Sequence, residues 1–230
     1  MSFIQIRQVD YSYPRKTNPA VAGINLTLEG NCITALVGPN GSGKTTLTKL
    51  MIGLLPPSRG EVYLAGRSLK QYTLAQIGRR IGYVFQNPDL QLFCPSVAEE
   101  IAFGMTRPGQ EPELIQEKVD FYLDYFELGD YRNAFPLHLS QGEKQRLAIA
   151  AVLANEPEFL ILDEPTIGLD AYRKKRLEDY LGKVVGLGRG MLLVSHDLVF
   201  VNRMAARVVG MENGRITSDS GQEGGQTHEY

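Results

Sequence analysis

The sequence lacks the features by which several classes of protein are recognised. It contains only two cysteines, Cys32 and Cys94, and their separation matches no metal-binding or redox motif. We therefore expect two unpaired thiols, as in proteins of a reducing compartment. No apolar run approaches the roughly 18 residues of a membrane-spanning helix, and the N-terminus alternates in polarity instead of forming a signal sequence. We expect any membrane association to be made through partner proteins.

The sequence also has no excess of charge of one sign. Its formal net charge is −2, with 24 Lys and Arg against 26 Asp and Glu. This balance gives no bulk attraction to nucleic acid or to an anionic lipid surface, so we expect no nucleic-acid partner. Hydrophobic residues make up 43% of the chain, and 230 residues are enough for one large domain with a substantial core.

One stretch points to specific chemistry. Residues 38–46 fit the P-loop pattern G-x-x-x-x-G-K-[ST], and they follow an apolar run at 33–37 that predicts a buried strand. Such a loop brings backbone N–H groups and a helix N-terminus to a phosphate. We expect Lys44 to reach the β- and γ-phosphates of a nucleotide and the Thr45 hydroxyl to ligate Mg²⁺. The predicted nucleotide-binding residues of this stretch are Gly38, Pro39, Asn40, Gly41, Ser42, Gly43, Lys44, Thr45 and Thr46.

Short apolar runs predict the strands of an α/β fold. The early runs alternate in polarity, which is typical of antiparallel strands, whereas the later ones are continuously apolar and alternate with helices. That order predicts a largely parallel sheet covered on both faces, beside an antiparallel β subdomain. The predicted strands and hairpins lie at 3–13, 21–28, 33–37, 61–69, 81–85, 159–163, 191–195 and around Asn213-Gly214.

Residues 87–155 have no strand pattern and predict an inserted helical subdomain. Ser96 and Ser140 each begin a capping-box pattern, and Gly129 is predicted to cap the end of the helix between them. The tail is rich in Gly, Gln and Ser, which favours disorder. The predicted organisation is one domain at 1–217, with an α/β lobe at 1–86 and 156–217 and a helical lobe at 87–155, and then a flexible tail at 218–230.

An apolar strand at 159–163 ends in an acidic pair. Asp163 and Glu164 are thereby predicted at the carboxyl end of a parallel strand, which is where such sheets bind ligands. With a P-loop in the same chain, we expect Asp163 to hold Mg²⁺ and Glu164 to polarise an attacking water as general base.

With the segment Leu139-Ser140-Gln141-Gly142-Glu143, the chain resembles the nucleotide-binding subunits of ABC transporters. The resemblance implies that Ser140 and Gly142 bind the γ-phosphate of ATP held by a second ATPase subunit, identical or homologous. The usual form of this signature is L-S-G-G-Q, from which Gln141 and Glu143 depart. The expected fold is the ABC ATPase fold.

Other positions match the same family in order. Gln86 matches the Q-loop glutamine, which senses Mg²⁺ and water, and Asp170 matches the D-loop at the dimer interface. His196 matches the switch histidine that contacts the γ-phosphate. Tyr13 matches the aromatic residue that stacks on adenine, with Tyr11 as the alternative because strand alternation puts both on one side.

The segment that follows Gln86 is similar to the ATPases of energy-coupling factor (ECF) importers, which usually read Q-N-P-D-D-Q-L-F where this chain has Leu90. This resemblance implies docking of a transmembrane coupling subunit nearby, accompanied by a substrate-binding membrane subunit. Leu92, Phe93 and Val97 are expected to line an apolar groove for a partner helix. The alternative is that they belong to the core of the helical lobe.

The resemblance therefore implies an ATPase that powers an ECF-type importer of a vitamin or a transition-metal ion. It implies ATP and Mg²⁺ as ligands and a peripheral location on the cytoplasmic face of the cell membrane. Two alternatives stay open. One is an ATPase of another ABC importer or exporter, and the other is a soluble ABC ATPase that acts outside transport.

Overall fold

The strands of the computed structural model form two sheets. The model describes residues 2–14, 18–106 and 110–221. The strands are β1 Ser2–Tyr11, β2 Val21–Glu29, β3 Ile33–Val37, β4 Arg59–Leu64, β5 Arg67–Ser68, β6 Ile81–Val84, β7 Phe159–Asp163, β8 Gly190–Val194, β9 Arg207–Glu212 and β10 Arg215–Asp219. The helices are α1 Lys44–Met51, α2 Leu74–Arg80, α3 Val97–Ala102, α4 Pro112–Tyr125, α5 Gln141–Ala154, α6 Ala171–Gly186 and α7 Leu198–Met204.

The larger sheet has the strand order β10-β9-β3-β8-β7-β6, and every pairing in it is parallel except that of β10 with β9. Its two faces bury different side chains. In β7, for example, Leu160 and Leu162 belong to one apolar cluster and Phe159 and Ile161 to the other. This is the pattern of a parallel sheet covered on both sides, as the sequence predicts.

The smaller sheet is antiparallel, with the order β2-β1-β4-β5. It shares an apolar cluster with β3 and α1, so it packs beside the P-loop. In the larger sheet β3, β8, β7 and β6 are neighbours, and their carboxyl ends therefore meet at one edge. The segments that follow these strands carry the P-loop, His196, the Asp163–Glu164 pair and Gln86.

Helices fill the region between β6 and β7. Ser140 caps α5 in a complete capping box, in which its hydroxyl accepts the Glu143 N–H and Glu143 accepts the Ser140 N–H. Ser96 caps α3 in the same way, but its partner Glu99 accepts the Ser96 hydroxyl instead of the backbone N–H. The predicted capping box at Ser96 is therefore only half formed.

Two details of the sequence prediction are wrong, and one helix is missing from it. Gly129 does not end α4, because the chain leaves the helix after Tyr125 and Glu127 takes the left-handed conformation there at φ 54°. The tail does not begin at 218, because Ser218 belongs to β10 and pairs with Gly210 of β9. Residues 222–230 of the predicted tail lie outside the described residues. Helix α2 was not predicted, although Thr73 and Gln76 form a complete capping box at its start.

Within the described residues, no helix combines the length and apolarity needed to cross a membrane. Cys32 and Cys94 are both free thiols, as predicted.

Candidate functional site

A cleft of about 800 Å³ opens at the edge where the parallel strands end. Its position follows from the strand order, because the segments after β3, β6 and β7 all reach it. The predicted residues that line it are Tyr13, Asn40, Gly41, Gly43, Lys44, Thr45, Thr46, Gln86, Asp163 and Glu164. The predicted residues that do not are Gly38, Pro39, Ser42, Ser140, Gly142, Asp170 and His196.

The P-loop wraps around the amine of Lys44. The Lys44 Nζ atom donates hydrogen bonds to the backbone oxygens of Gly38 at 2.7 Å and Pro39 at 3.0 Å. These two residues therefore hold the Lys44 side chain against the loop, although they do not line the cleft. A Cβ atom on Gly38 would lie 2.0 Å from the Met211 backbone oxygen, so this position requires glycine. Helix α1 starts at Lys44 with no side-chain cap. A glycine-rich loop that leads into a helix N-terminus is an arrangement whose N–H groups commonly bind anions.

Thr45 and Asp163 meet across the floor of the cleft. The Thr45 hydroxyl donates to Asp163 Oδ2 at 3.0 Å, which joins the first turn of α1 to the end of β7. Burial raises the pKa of Asp163, and the negative charge of the adjacent Glu164 raises it further. A buried carboxylate with a second carboxylate beside it favours a bound cation. Hydroxyl, carboxylate and amide oxygens from Thr45, Asp163 and Gln86 are the hard ligands that Mg²⁺ prefers.

Glu164 is held by the segment that follows β8. Its Oε1 atom lies 2.9 Å from Nδ1 of His196, and Oε2 accepts the Ser195 hydroxyl and the His196 N–H, each at 3.3 Å. Its own N–H donates to the Val194 oxygen at 2.7 Å, and its φ is 53°. The side chain of Glu164 is 7% exposed and that of His196 is 70% exposed. Glu164 is therefore a buried, oriented carboxylate that reaches the cleft, with a solvent-exposed imidazole on its far side.

The two tyrosines at the end of β1 differ in position. Tyr13 lines the cleft, and its hydroxyl lies 3.2 Å from the Thr46 hydroxyl. Tyr11 is buried in the core and packs edge-on against Tyr13 with ring centroids 5.0 Å apart. Tyr13 is thus the ring available to a ligand, and Tyr11 supports it.

Ser140, Gly142 and Asp170 lie at a second location in the same chain. Ser140 is exposed at the start of α5, and Asp170 is exposed at the start of α6, where it caps the Arg173 N–H at 2.8 Å. A Cβ atom on Gly142 would lie 2.6 Å from the Gly168 oxygen, so the starts of α5 and α6 are in contact. These two helix N-termini form one surface that is separate from the residues of the cleft.

The predicted apolar groove is wrong for two of its three residues. Leu92 is 4% exposed and Val97 is fully buried, and both belong to the core that α3, α4 and α5 share. Phe93 is 63% exposed and packs edge-on against Phe103, which is 59% exposed. Leu90 is exposed as well. We call Phe93 and Phe103 the exposed apolar patch.

Sequence reasoning missed several residues of the cleft and its support. Asn18, Pro19 and Ala20 line the cleft beside Tyr13, and the polar turn in which they lie gave no signal beyond its closeness to that tyrosine. Tyr83 lies behind Asp163, with its hydroxyl 3.4 Å from Oδ2 and 2.8 Å from the Thr48 hydroxyl.

Comparison with known proteins agrees with this geometry. A family model described as "ABC transporter" matches residues 21–167, which is more than half of the chain. The chain belongs to the ABC transporter family. ATP hydrolysis is characteristic of ABC ATP-binding domains, so the predicted family, fold class and ATPase class are confirmed.

One relative is named energy-coupling factor transporter ATP-binding protein EcfA, from Methanothermobacter thermautotrophicus. It is 39% identical over 94% of this chain and 70% of its own length. Among ABC structures, CbiO1 of Clostridium perfringens, part of the ABC transporter complex CbiONQ, matches with a TM-score of 0.80 at 32% identity, covering 95% of this chain and 88% of that one. A dimeric post-hydrolysis ATP-binding cassette bound to ADP and phosphate, MJ0796, matches with a TM-score of 0.85 at 25% identity, covering 94% and 97%.

Several other ABC relatives are longer than this chain. The chain spans only 33% to 37% of the length of three curated relatives that are described as putative ABC transporter ATP-binding proteins.

Proposed function

We propose that this chain is the ATP-hydrolysing subunit of an ECF-type ABC importer for a vitamin or a transition-metal ion. In this proposal it works as a head-to-tail ATPase dimer, held by partners at the cytoplasmic face of the cell membrane. The observation that carries the ATPase part is the single cleft lined by Lys44, Asp163 and Glu164. The ECF assignment is supported by the relative named EcfA and by the likeness to CbiO1.

In the proposed binding mode, the P-loop holds the phosphates of ATP. Lys44 exchanges its two loop carbonyls for β- and γ-phosphate oxygens, which accept stronger, charge-assisted hydrogen bonds. The backbone N–H groups of the loop and the N-terminus of α1 surround the rest of the triphosphate. Tyr13 offers a ring face for adenine at the mouth of the cleft.

Thr45, Asp163 and Gln86 are the proposed Mg²⁺ ligands, directly or through water. When bound, Mg²⁺ would neutralise part of the phosphate charge. Asp163 is well suited to this role because it is buried, accepts the Thr45 hydroxyl, and has a pKa that is raised by burial and by the charge of Glu164. Gln86 is exposed at the end of β6, so its side chain is free to approach an ion at the phosphates.

Glu164 is the proposed general base. Its oriented carboxylate would accept a proton from the attacking water while Lys44 and His196 stabilise the charge that develops on the γ-phosphate. Nδ1 of His196 lies 2.9 Å from the Oε1 atom of Glu164. We expect this contact to open when ATP binds, so that His196 reaches the γ-phosphate and Glu164 reaches water.

The second half of each site would come from another subunit, identical or homologous. Ser140, Gly142 and Asp170 lie on a surface separate from the cleft, yet helix α5 begins there with a hydroxyl that suits a phosphate. In a head-to-tail dimer this surface would cover the cleft of the partner. Each chain contains both halves, so two identical copies would form two complete sites.

The exposed apolar patch is the proposed contact with a transmembrane coupling subunit. Phe93 and Phe103 follow Gln86 in the helical region, and two aromatic rings in contact at the surface suit a helix laid across them. Movement of the helical region on ATP binding would then move the transmembrane coupling subunit.

Purification of the chain from its native membranes tests the importer assignment. Co-purification with a coupling subunit and a small substrate-binding membrane protein would support the ECF type. Co-purification with a transporter that uses a periplasmic binding protein would instead indicate another importer class. A chain that is never recovered with membrane proteins would favour a soluble ABC ATPase.

A further inference from the structure

Three arginines converge on one turn of the helical region. The turn is the end of α4 at residues 125–127, and it receives Arg146 from α5 together with Arg173 and Arg176 from α6. Arg176 donates to the Tyr125 oxygen at 2.6 Å. The turn therefore contacts both α5, which Ser140 caps, and α6, which Asp170 caps.

Glu127 carries the negative charge at this junction. Its Oε2 atom accepts two hydrogen bonds from Arg173, at 2.9 and 3.1 Å, and lies 3.8 Å from Nη1 of Arg146. Arg173 in turn forms an ion pair with Asp170. A continuous chain of charges thus runs from α5 through Glu127 and Arg173 to Asp170.

Arg146 makes the charge of Glu127 important. The Arg146 side chain is 8% exposed, and its buried Nε atom finds no hydrogen-bond partner among the described residues. Burial lowers the pKa of Arg146, and the nearby positive charge of Arg173 lowers it further. The guanidinium still keeps its charge at neutral pH. Glu143 and Asp170 also attract Arg146, and Asp170 pairs with Arg173, but Glu127 is the carboxylate that contacts both guanidinium groups. Loss of its charge would therefore increase the repulsion between the cations of α5 and α6.

We propose that Glu127 is a positioning residue that fixes the segment carrying Ser140 and Gly142 relative to the segment carrying Asp170. The close packing of Gly142 on the Gly168 oxygen at the other end of the junction leaves little tolerance for a shift between the two helices. This inference rests on the proposed function, in which both segments meet the nucleotide of a second subunit. Glu127 does not line the cleft, so in this proposal it acts through the two arginines.

Glu127→Gln is the test variant, because it removes the charge while keeping the size of the side chain and the left-handed backbone. Glu156→Gln is the matched control. Glu156 is also a left-handed glutamate, at φ 49°, and it also bridges two cations, Lys118 at 2.6 Å and Arg189 at 3.6 Å. Neither of these two ion pairs of Glu156 includes Arg146 or Arg173.

Hydrogen–deuterium exchange on the nucleotide-free chain tests positioning directly. Glu127→Gln should speed amide exchange at 140–146 and 168–173 by about fivefold or more, with little change in the P-loop. Glu156→Gln should leave both segments unchanged. Equal exchange in the two variants at both segments would overturn the proposal, whether or not the chain dimerises.

ATP hydrolysis then tests the consequence. At low protein concentration Glu127→Gln should lose about tenfold of the rate per subunit, and a higher protein concentration should restore most of it by mass action. Binding of a fluorescent ATP analogue to the monomer should stay within about twofold of wild type. A loss that protein concentration does not restore would mean damage to the fold and would contradict a positioning role. If the wild-type chain hydrolyses no ATP, the proposed function fails, and the exchange experiment still decides the role of Glu127.

Discussion

The Oε1 atom of Glu164 lies 2.9 Å from Nδ1 of His196, across the ends of the neighbouring strands β7 and β8. The contact joins a buried carboxylate to an exposed imidazole. Together with the hydrogen bonds from the Ser195 hydroxyl and the His196 N–H, it holds the Glu164 carboxylate in a defined orientation.

Glu164→Gln should abolish turnover while leaving ATP binding intact. An amide keeps the shape of the side chain but cannot accept the proton of the attacking water, so the hydrolysis rate should fall by about a hundredfold or more. The measurements are phosphate release and binding of a fluorescent ATP analogue. Glu158→Gln is the control, because Glu158 pairs with Arg80 away from the cleft. Hydrolysis near the wild-type rate in Glu164→Gln would show that another group is the base.

Asp163→Asn should raise the Mg²⁺ concentration needed for half-maximal hydrolysis by about tenfold or more, because a charged oxygen ligand is lost. A magnesium titration at saturating ATP measures this shift, and chelation of divalent ions should abolish the activity of the wild type. Asp179→Asn provides a control on an exposed carboxylate of α6 that pairs with Lys175. An unchanged magnesium requirement in Asp163→Asn would remove this residue from the metal site.

Phe93→Glu and Phe103→Glu should each break assembly with the membrane subunit without unfolding the chain, since both rings are exposed. Leu92→Glu should behave differently, because it buries a charge in the core and should cost several kcal/mol of folding free energy, on the order of 3 to 5. Thermal unfolding and co-purification with the membrane subunit separate the two effects. Leu74→Glu, at an exposed leucine of α2, is the control for adding a surface charge. Full assembly by both phenylalanine variants would place the docking surface elsewhere.

Cys94 should resist thiol reagents in the folded protein. Burial raises the pKa of its thiol to about 11, and the negative charge of Glu100 contributes to the shift. At pH 8 the pH lies about three units below that pKa, so roughly one thiol in a thousand is ionised. Titration with a chromogenic disulfide should therefore show slow reaction of Cys94 until denaturant is added, with Cys32→Ser used to isolate it. Rapid modification of Cys94 in the native Cys32→Ser variant would mean that this part of the helical region opens easily.

Apolar runs and capping patterns predict much of the fold, because burial and local hydrogen bonding act directly on the residues that form them. The apolar runs of β3, β7 and β8 are buried on both faces, and parallel strands of an α/β sheet require this. The cap at Ser140 forms as its sequence predicts, because the four-residue pattern contains both partners of the two hydrogen bonds.

The errors arose where tertiary packing decides. Leu92, Phe93 and Val97 look alike in sequence, and only the packing of α3, α4 and α5 assigns two of them to the core and one to the surface. Helix α2 buries only Ile77, so its sequence has no apolar periodicity that predicts a helix. Gly129 looked like a cap, but Glu127 takes the left-handed position two residues earlier, where the arginines of α5 and α6 hold the turn.

The candidate site also contains residues that the sequence predicts and residues that only tertiary packing brings to the cleft. Lys44 and Thr45 were predicted from the P-loop pattern, and Asp163 and Glu164 from their place at the end of an apolar strand. Asn18, Pro19 and Ala20 come to the cleft only through the path of the chain between β1 and β2, which has no local signal. The roles of Ser140, Gly142 and Asp170 stay predictions, because they depend on a second subunit.

Mixing two inactive variants tests most directly whether each active site is shared between two subunits. Lys44→Ala removes the P-loop amine, and Ser140→Asp keeps a helix-capping oxygen but adds a negative charge where the γ-phosphate of the partner is expected. Each variant alone should be inactive. In an equal mixture, a mixed dimer pairs the intact P-loop of one subunit with the intact Ser140 of the other, so the rate should recover to about a quarter of wild type. An active wild type with no recovery in the mixture would show that each chain hydrolyses ATP within itself and would contradict the shared site.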